Sequence, residues 1–190
     1  MQVLCGHRVD FFKNPQITPF HHLPREASVT EKEMLLNSWE REYQTTTKVF
    51  KAYPEGKLDF KPHELSRTAR ELAWVVIQEE GIFVDGAISG KFDFGHGDPP
   101  PSTMKEILSA YEKKHAENVR KVKGMSDADL NKMVKYMVAR GTLADLRSID
   151  TIWGSIMDNI HHRGQFSIYL RMAGGKVPSI YGPSHDEPWM

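Results

Sequence analysis

Apolar residues recur at helical spacing in four stretches of the chain, with polar or proline-rich segments between them. In the first stretch Met34, Leu35, Trp39, Tyr43 and Val49 keep the helical period to about Ala52. Ser28 or Thr30 can cap its start, Glu31 and Glu33 suit the positive end of the helix dipole, and Pro54 with Gly56 stops the run. The second stretch predicts a helix from Ser66, with Ala69, Leu72, Ala73, Val76, Phe83 and Ala87 along one side. Its centre, Ala73 to Ile77, is apolar nearly all round, which predicts a central helix. A short strand is the competing reading, and good helix formers on both flanks disfavour it.

The segment SGKFDFGHGDPPP, residues 89–101, reads as a long turn-rich connection. Ser102 or Thr103 then caps a third helix, with Glu106 as capping-box partner of Thr103. That helix is predicted through Ile107, Leu108 and Tyr111 to about Lys123, closing at Gly124. Residues 125–143 read either as a short helix or as an extended crossover. A fourth helix is predicted from about Leu143 to Met172, closed by Gly174 and Gly175. Pro178 and Pro183 keep the tail, residues 174–190, non-helical, and Pro15, Pro19 and Pro24 make residues 1–25 an irregular arm. The arm is expected to pack through Phe11, Phe12 and Phe20. The pattern predicts an all-α fold, a four-helix bundle with a long crossover, in one domain spanning residues 1–190.

Composition narrows the function. Lys plus Arg and Asp plus Glu are each 25, so the formal charge is zero. A nucleic-acid partner is therefore not expected, because such affinity comes largely from a basic surface against phosphates. No apolar run approaches the ~18 residues that would span a bilayer, and the first residues lack the apolar core of a signal peptide. The single cysteine, Cys5, cannot form an internal disulfide and fits a reducing compartment. A soluble, cytoplasmic protein without a membrane partner is the expectation.

The densest chemistry lies in MDNIHHRGQFSIYLRM, residues 157–172. At 100° per residue, Ile149, Trp153, Ile156 and Ile160 share one face of the last helix. Asp158, His162, Gln165 and Tyr169 form a second stripe nearly opposite. Periodicity alone favours a solvent-facing polar stripe. The alternative is a metal site, since donors at i and i+4 on one face can grip one cation, and a neutral imidazole suits zinc, nickel or iron. His161 lies about 100° round from His162, so the two do not readily hold the same ion. Glu79 or Glu80 on the second helix could supply a third donor. Arg163 is expected to pair with a neighbouring helix or the tail, and Tyr169 to be buried with its hydroxyl paired. His63, His96 and His185 fall in turn-rich segments, and His21 and His22 in the arm, without partner spacing.

The stretch HHRGQFSIYLRMAGGKVPSIYGP, residues 161–183, closely resembles the last-helix signature of the DinB/YfiT-like superfamily. Weaker likeness extends to DFKPHELSRTARELAW, residues 59–74, and to VDGAISGKFDF, residues 84–94. The resemblance implies a four-helix bundle, commonly dimeric, with a divalent metal held by three histidines near one end. Some relatives are S-transferases or isomerases that use low-molecular-weight thiols. Carried over to this chain, the closing histidine is His162. Its partner one turn earlier falls at Asp158, where the pattern expects histidine, and the second-helix ligand falls at Val75, which cannot bind a metal. The expectation is a divergent metal-dependent transferase or hydrolase, with His162 and Asp158 as the surviving ligands and a small-molecule substrate. The alternative is a non-catalytic binding protein that kept the fold without a working metal centre.

Overall fold

In the computed structural model, the structure describes residues 29–95 and 97–190. The arm expected at residues 1–25 lies outside the described residues. The chain divides into Met1–Thr30 and Glu31–Met190, and the second unit carries everything below.

Four long helices build that unit: α1 (Glu31–Lys51), α2 (Ala69–Ser89), α3 (Met104–Gly124) and α5 (Ser148–Met172). Both α2 and α3 begin with complete capping boxes, in which Thr68 pairs with Glu71 and Thr103 with Glu106. Each box satisfies backbone N–H groups that the first helical turn leaves without partners. Helix α2 therefore starts at Ala69, slightly after the expected Ser66, and ends on Gly90, whose φ of +80° suits glycine.

The second unit is mostly helical, but residues 125–147 hold more than a crossover. A short helix α4 (Asp127–Asn131) leads into an antiparallel hairpin, β1 (Met133–Ala139) and β2 (Thr142–Arg147). Its two-residue turn, Arg140–Gly141, uses glycine at φ +74°. The last helix accordingly begins at Ser148 and not near Leu143, because Leu143 to Arg147 pair with β1. Helix propensity in Leu143, Ala144 and Leu146 is overridden by the turn and by Val134, the buried residue of β1.

The apolar core has two halves. One collects Val49 and Phe50 from α1, Leu72 and Val76 from α2, Ile107 and Tyr111 from α3, and Phe166 and Leu170 from α5. The other collects Leu35 and Trp39, Val84 and Ala87, Val122, and Ile149, Ile152 and Ile156 from the same helices. This division orients them. Helices α1 and α5 run from the second half to the first, while α2 and α3 run from the first to the second. Residues 90–103 must therefore return the chain along the bundle, the expected long crossover.

A buried polar layer separates the two halves. Helix α1 contributes Glu42 and Thr46, α2 Glu80, α3 His115 and Asn118, and α5 Ser155, Asn159 and Arg163. Glu80 Oε1 accepts from Asn118 Nδ2 at 3.3 Å and lies 3.2 Å from His115 Nδ1, while Oε2 accepts from Trp39 Nε1 at 3.2 Å. Arg163 pairs with Glu42 at 2.8 Å and donates to Thr46 Oγ1 at 3.2 Å. Tyr181 of the tail donates to the same Glu42 carboxylate at 2.5 Å. The tail thus folds back onto the bundle, with Val177 and Ile180 against the core.

Candidate metal centre

Helices α2 and α5 form the bundle's most extensive contact, and on it Glu79 meets Asp158 and His162. Position 79 lies next to the polar-layer residue Glu80, as Asp158 and His162 lie next to Asn159 and Arg163. The three donors therefore sit level with the polar layer.

His162 Nε2 is 3.3 Å from Glu79 Oε2 and 3.6 Å from Asp158 Oδ2. One donor atom from each of the three residues lies within 4.8 Å of the others. The far side of the imidazole is tied down, because His162 Nδ1 is 3.0 Å from Gln165 Oε1. The amide nitrogen of Gln165 is in turn 3.0 Å from His161 Nε2. An amide oxygen can only accept, so Nδ1 carries the proton in neutral His162 and the Nε2 lone pair faces the two carboxylates.

Electrostatics reflects the crowding. Burial pushes the Glu79 carboxyl up and Asp158 adds to the rise, with His162 opposing it. The Glu79 carboxylate beside it holds His162 above its ordinary value, against the effect of burial. Glu79 Oε2 is buried and, despite its closeness to the imidazole, has no hydrogen bond.

These residues fit a divalent ion. Ligands at ~2.0–2.2 Å from zinc are separated by roughly 3.0–3.6 Å in tetrahedral or octahedral arrangements, close to the two separations from His162. The buried oxygen without a hydrogen bond gains a partner, and two carboxylates offset a 2+ charge. Three protein ligands also leave open positions, as catalytic centres require.

The polar stripe of α5 therefore does not face solvent as periodicity alone favoured. Asp158 and His162 are half-buried against α2, Tyr169 is buried, and Gln165 is exposed. The buried stripe instead runs through Ile149, Ile152, Ile156, Asn159, Arg163, Phe166 and Leu170, while Trp153 and Ile160 are only partly buried. Two polar residues in that stripe shifted the apparent apolar face.

The third donor is Glu79, one turn after Val75 on the same face of α2. Glu80 belongs to the polar layer. Arg163 pairs with α1 and the tail, and the Tyr169 hydroxyl donates to the Arg67 carbonyl at 3.1 Å. His63 accepts from the backbone N–H of Leu65 through Nδ1 and stays in the loop before α2. Cys5, His21, His22 and His96 lie outside the described residues. His115 and Glu42 went unnoticed in the sequence, although they interrupt the apolar stripes of α3 and α1 at core spacing.

No helix among the described residues is long and apolar enough to cross a membrane. The chain is 24% identical to a DinB-like protein from Bacillus cereus ATCC 10987, with a TM-score of 0.68 over 78% of this chain and 97% of that one. A DinB-like protein from Bacillus subtilis, YjoA, matches with a TM-score of 0.62 at 14% identity, covering 75% of this chain and 94% of its own. The uncharacterized protein YrdA of Bacillus subtilis (strain 168) is 25% identical over 153 residues, 80% of this chain and 89% of its own. The family model described as DinB family matches residues 27–189. That match spans most of the sequence, and the chain belongs to the DinB family.

Proposed function

We propose that this protein is a metal-dependent enzyme of the transferase or hydrolase type, acting on a small molecule at a divalent ion held by Glu79, Asp158 and His162. Zinc, nickel and iron suit one imidazole combined with carboxylates. The observation that carries the reading is the Glu79 oxygen, buried beside an imidazole and a second carboxylate and lacking a hydrogen bond. A bound divalent ion would supply Lewis acidity toward an oxygen or sulfur donor of the substrate. The chain's own part is to present the His162 Nε2 lone pair, which Gln165 orients, and to hold two carboxylates close to it.

The second reading is a binding protein without a working metal centre. Val75 favours it, since an apolar residue stands where the family pattern expects a ligand. Calorimetric titration of chelator-free protein with zinc separates the two. The enzyme reading expects one ion per chain, with affinity reduced at least ~10-fold in His162→Ala. Substoichiometric uptake, or uptake indifferent to that substitution, supports the second reading and rejects the first.

The proposal includes a homodimer. The hairpin exposes Met133, Met137, Val138 and Leu143, apolar surface that a second copy could cover. Sedimentation at micromolar concentration tests this, and a monomer there contradicts it.

A further inference from the structure

An open groove of about 390 Å³ runs along α5 beneath the hairpin and reaches the donor cluster through Asp158. Asp158 belongs to both the cluster and the groove, and His161 lines the same end. Beyond that end the walls carry Phe83 from α2, Tyr136 and Leu146 from the hairpin, and Met157 from α5, with Thr151 and the Arg147-paired Asp150 of α5 also lining the groove. Its size falls within the ~300–1,000 Å³ typical of small-molecule sites.

The hairpin wall is built, not incidental. Tyr136 packs against Phe83 at 5.6 Å and Phe92 at 5.0 Å between ring centroids, with Phe94 at 6.3 Å. Helix α2 and the loop after it thus hold one tyrosine ring at the groove. Tyr136 lines the same groove as Asp158 of the cluster. Gly154 of α5 also lines the groove without a side chain, and a Cβ there would meet only Phe83 Cε1, at 3.6 Å.

We propose that the hairpin selects the substrate: the groove accepts an aryl or similarly sized apolar group of a small molecule whose polar head lies at the metal cluster, and Tyr136 donates a hydrogen bond to that head. This rests on the metal-centre reading. It adds to it a substrate class and makes Tyr136 a specificity-determining residue. Apolar side chains reward a planar or branched hydrocarbon by removing it from water, while a phenol near a charged centre rewards an acceptor atom.

Two hydroxamates test the proposal in zinc-loaded protein. Acetohydroxamate presents the metal-binding head alone, and benzohydroxamate adds one phenyl group. The ratio of their affinities is measured by calorimetry in wild type and Gly154→Leu, so that their intrinsic difference toward zinc cancels. The ratio is expected to favour benzohydroxamate by ~10-fold or more in wild type relative to Gly154→Leu, with zinc and acetohydroxamate affinities unchanged by the substitution. Tyr136→Phe is expected to weaken both hydroxamates several-fold without weakening zinc. Tyr136→Ala, which removes a wall from the hairpin, serves if Gly154→Leu does not fold. Zinc binding with equal ratios in wild type and variant overturns the groove assignment alone. Failure of wild type to bind zinc overturns the metal centre, and this proposal with it.

Discussion

Glu79 and His162 approach within 3.3 Å across the α2–α5 interface, one buried carboxylate oxygen facing one imidazole nitrogen without a hydrogen bond. Two ionisable groups on different helices seldom hold this arrangement unless something between them or a proton on one of them balances it. Asp158 lies 3.6 Å from the same nitrogen, so either a proton on His162 or a bound cation offsets the two carboxylates.

Removing the donor that the family pattern does not supply should be as damaging as removing the one it does. Glu79→Ala is expected to lower zinc affinity by ~10–100-fold, comparable to His162→Ala, whereas Glu80→Gln should leave it within about two-fold. Competition with a fluorescent chelator measures all three. Equal loss from Glu79 and Glu80 substitutions would point to general destabilisation of α2.

Gln165 should act through His162. Gln165→Leu removes the acceptor for the Nδ1 proton and the link to His161. Zinc affinity should fall by ~10-fold with no change in thermal stability of the metal-free protein beyond a degree or two. Calorimetry and thermal melts of the same samples check the pair of outcomes.

The pH dependence should reverse sign with metal. His162 is raised from 6.5 and Glu79 from 4.5, so both bind protons more tightly folded than unfolded. Their contribution to stability is fully present below the unfolded values and is lost as pH rises through the folded ones. Metal-free protein should therefore lose the His162 contribution as pH rises from about 6.5, and His162→Gln should flatten that loss. Zinc competes with the same protons, so the stabilisation it brings should grow over the same range. Melting temperatures with and without zinc between pH 6 and 8 read both trends. A zinc shift independent of pH would exclude His162 as a ligand.

The polar layer should be costly to break and cheap to replace. Arg163→Met leaves the buried Glu42 carboxylate with the Tyr181 hydroxyl and, 3.6 Å away, only the exposed Arg41 as charge partner, and is expected to cost about 3–5 kcal/mol in urea unfolding. Adding Glu42→Leu should recover part of that loss, since no buried charge then lacks a partner. Additive losses in the double variant would contradict the pairing.

Much of this was legible in the chain. Capping boxes at Thr103–Glu106 and apolar periodicity mark α1, α2 and α3, because those signals are local. The hairpin was not, since Leu143 to Arg147 carry helix formers and the deciding feature is the Arg140–Gly141 turn pairing them with β1. The cluster was half legible. Asp158 and His162 are one turn apart on one helix, but the third donor comes from another helix, and the choice among Val75, Glu79 and Glu80 depends on how α2 is rotated. The solvent-facing reading failed for a related reason: Asn159 and Arg163 occupy core positions, and a period counted only on apolar residues rotates the helix.

Anomalous diffraction at the zinc edge, from crystals of protein loaded with one equivalent of zinc, tests the central claim most directly. The account predicts one peak per chain within ~2.0–2.3 Å of Glu79, Asp158 and His162 donor atoms. Zinc bound elsewhere, or absent while His162 and Glu79 stay paired, would contradict it.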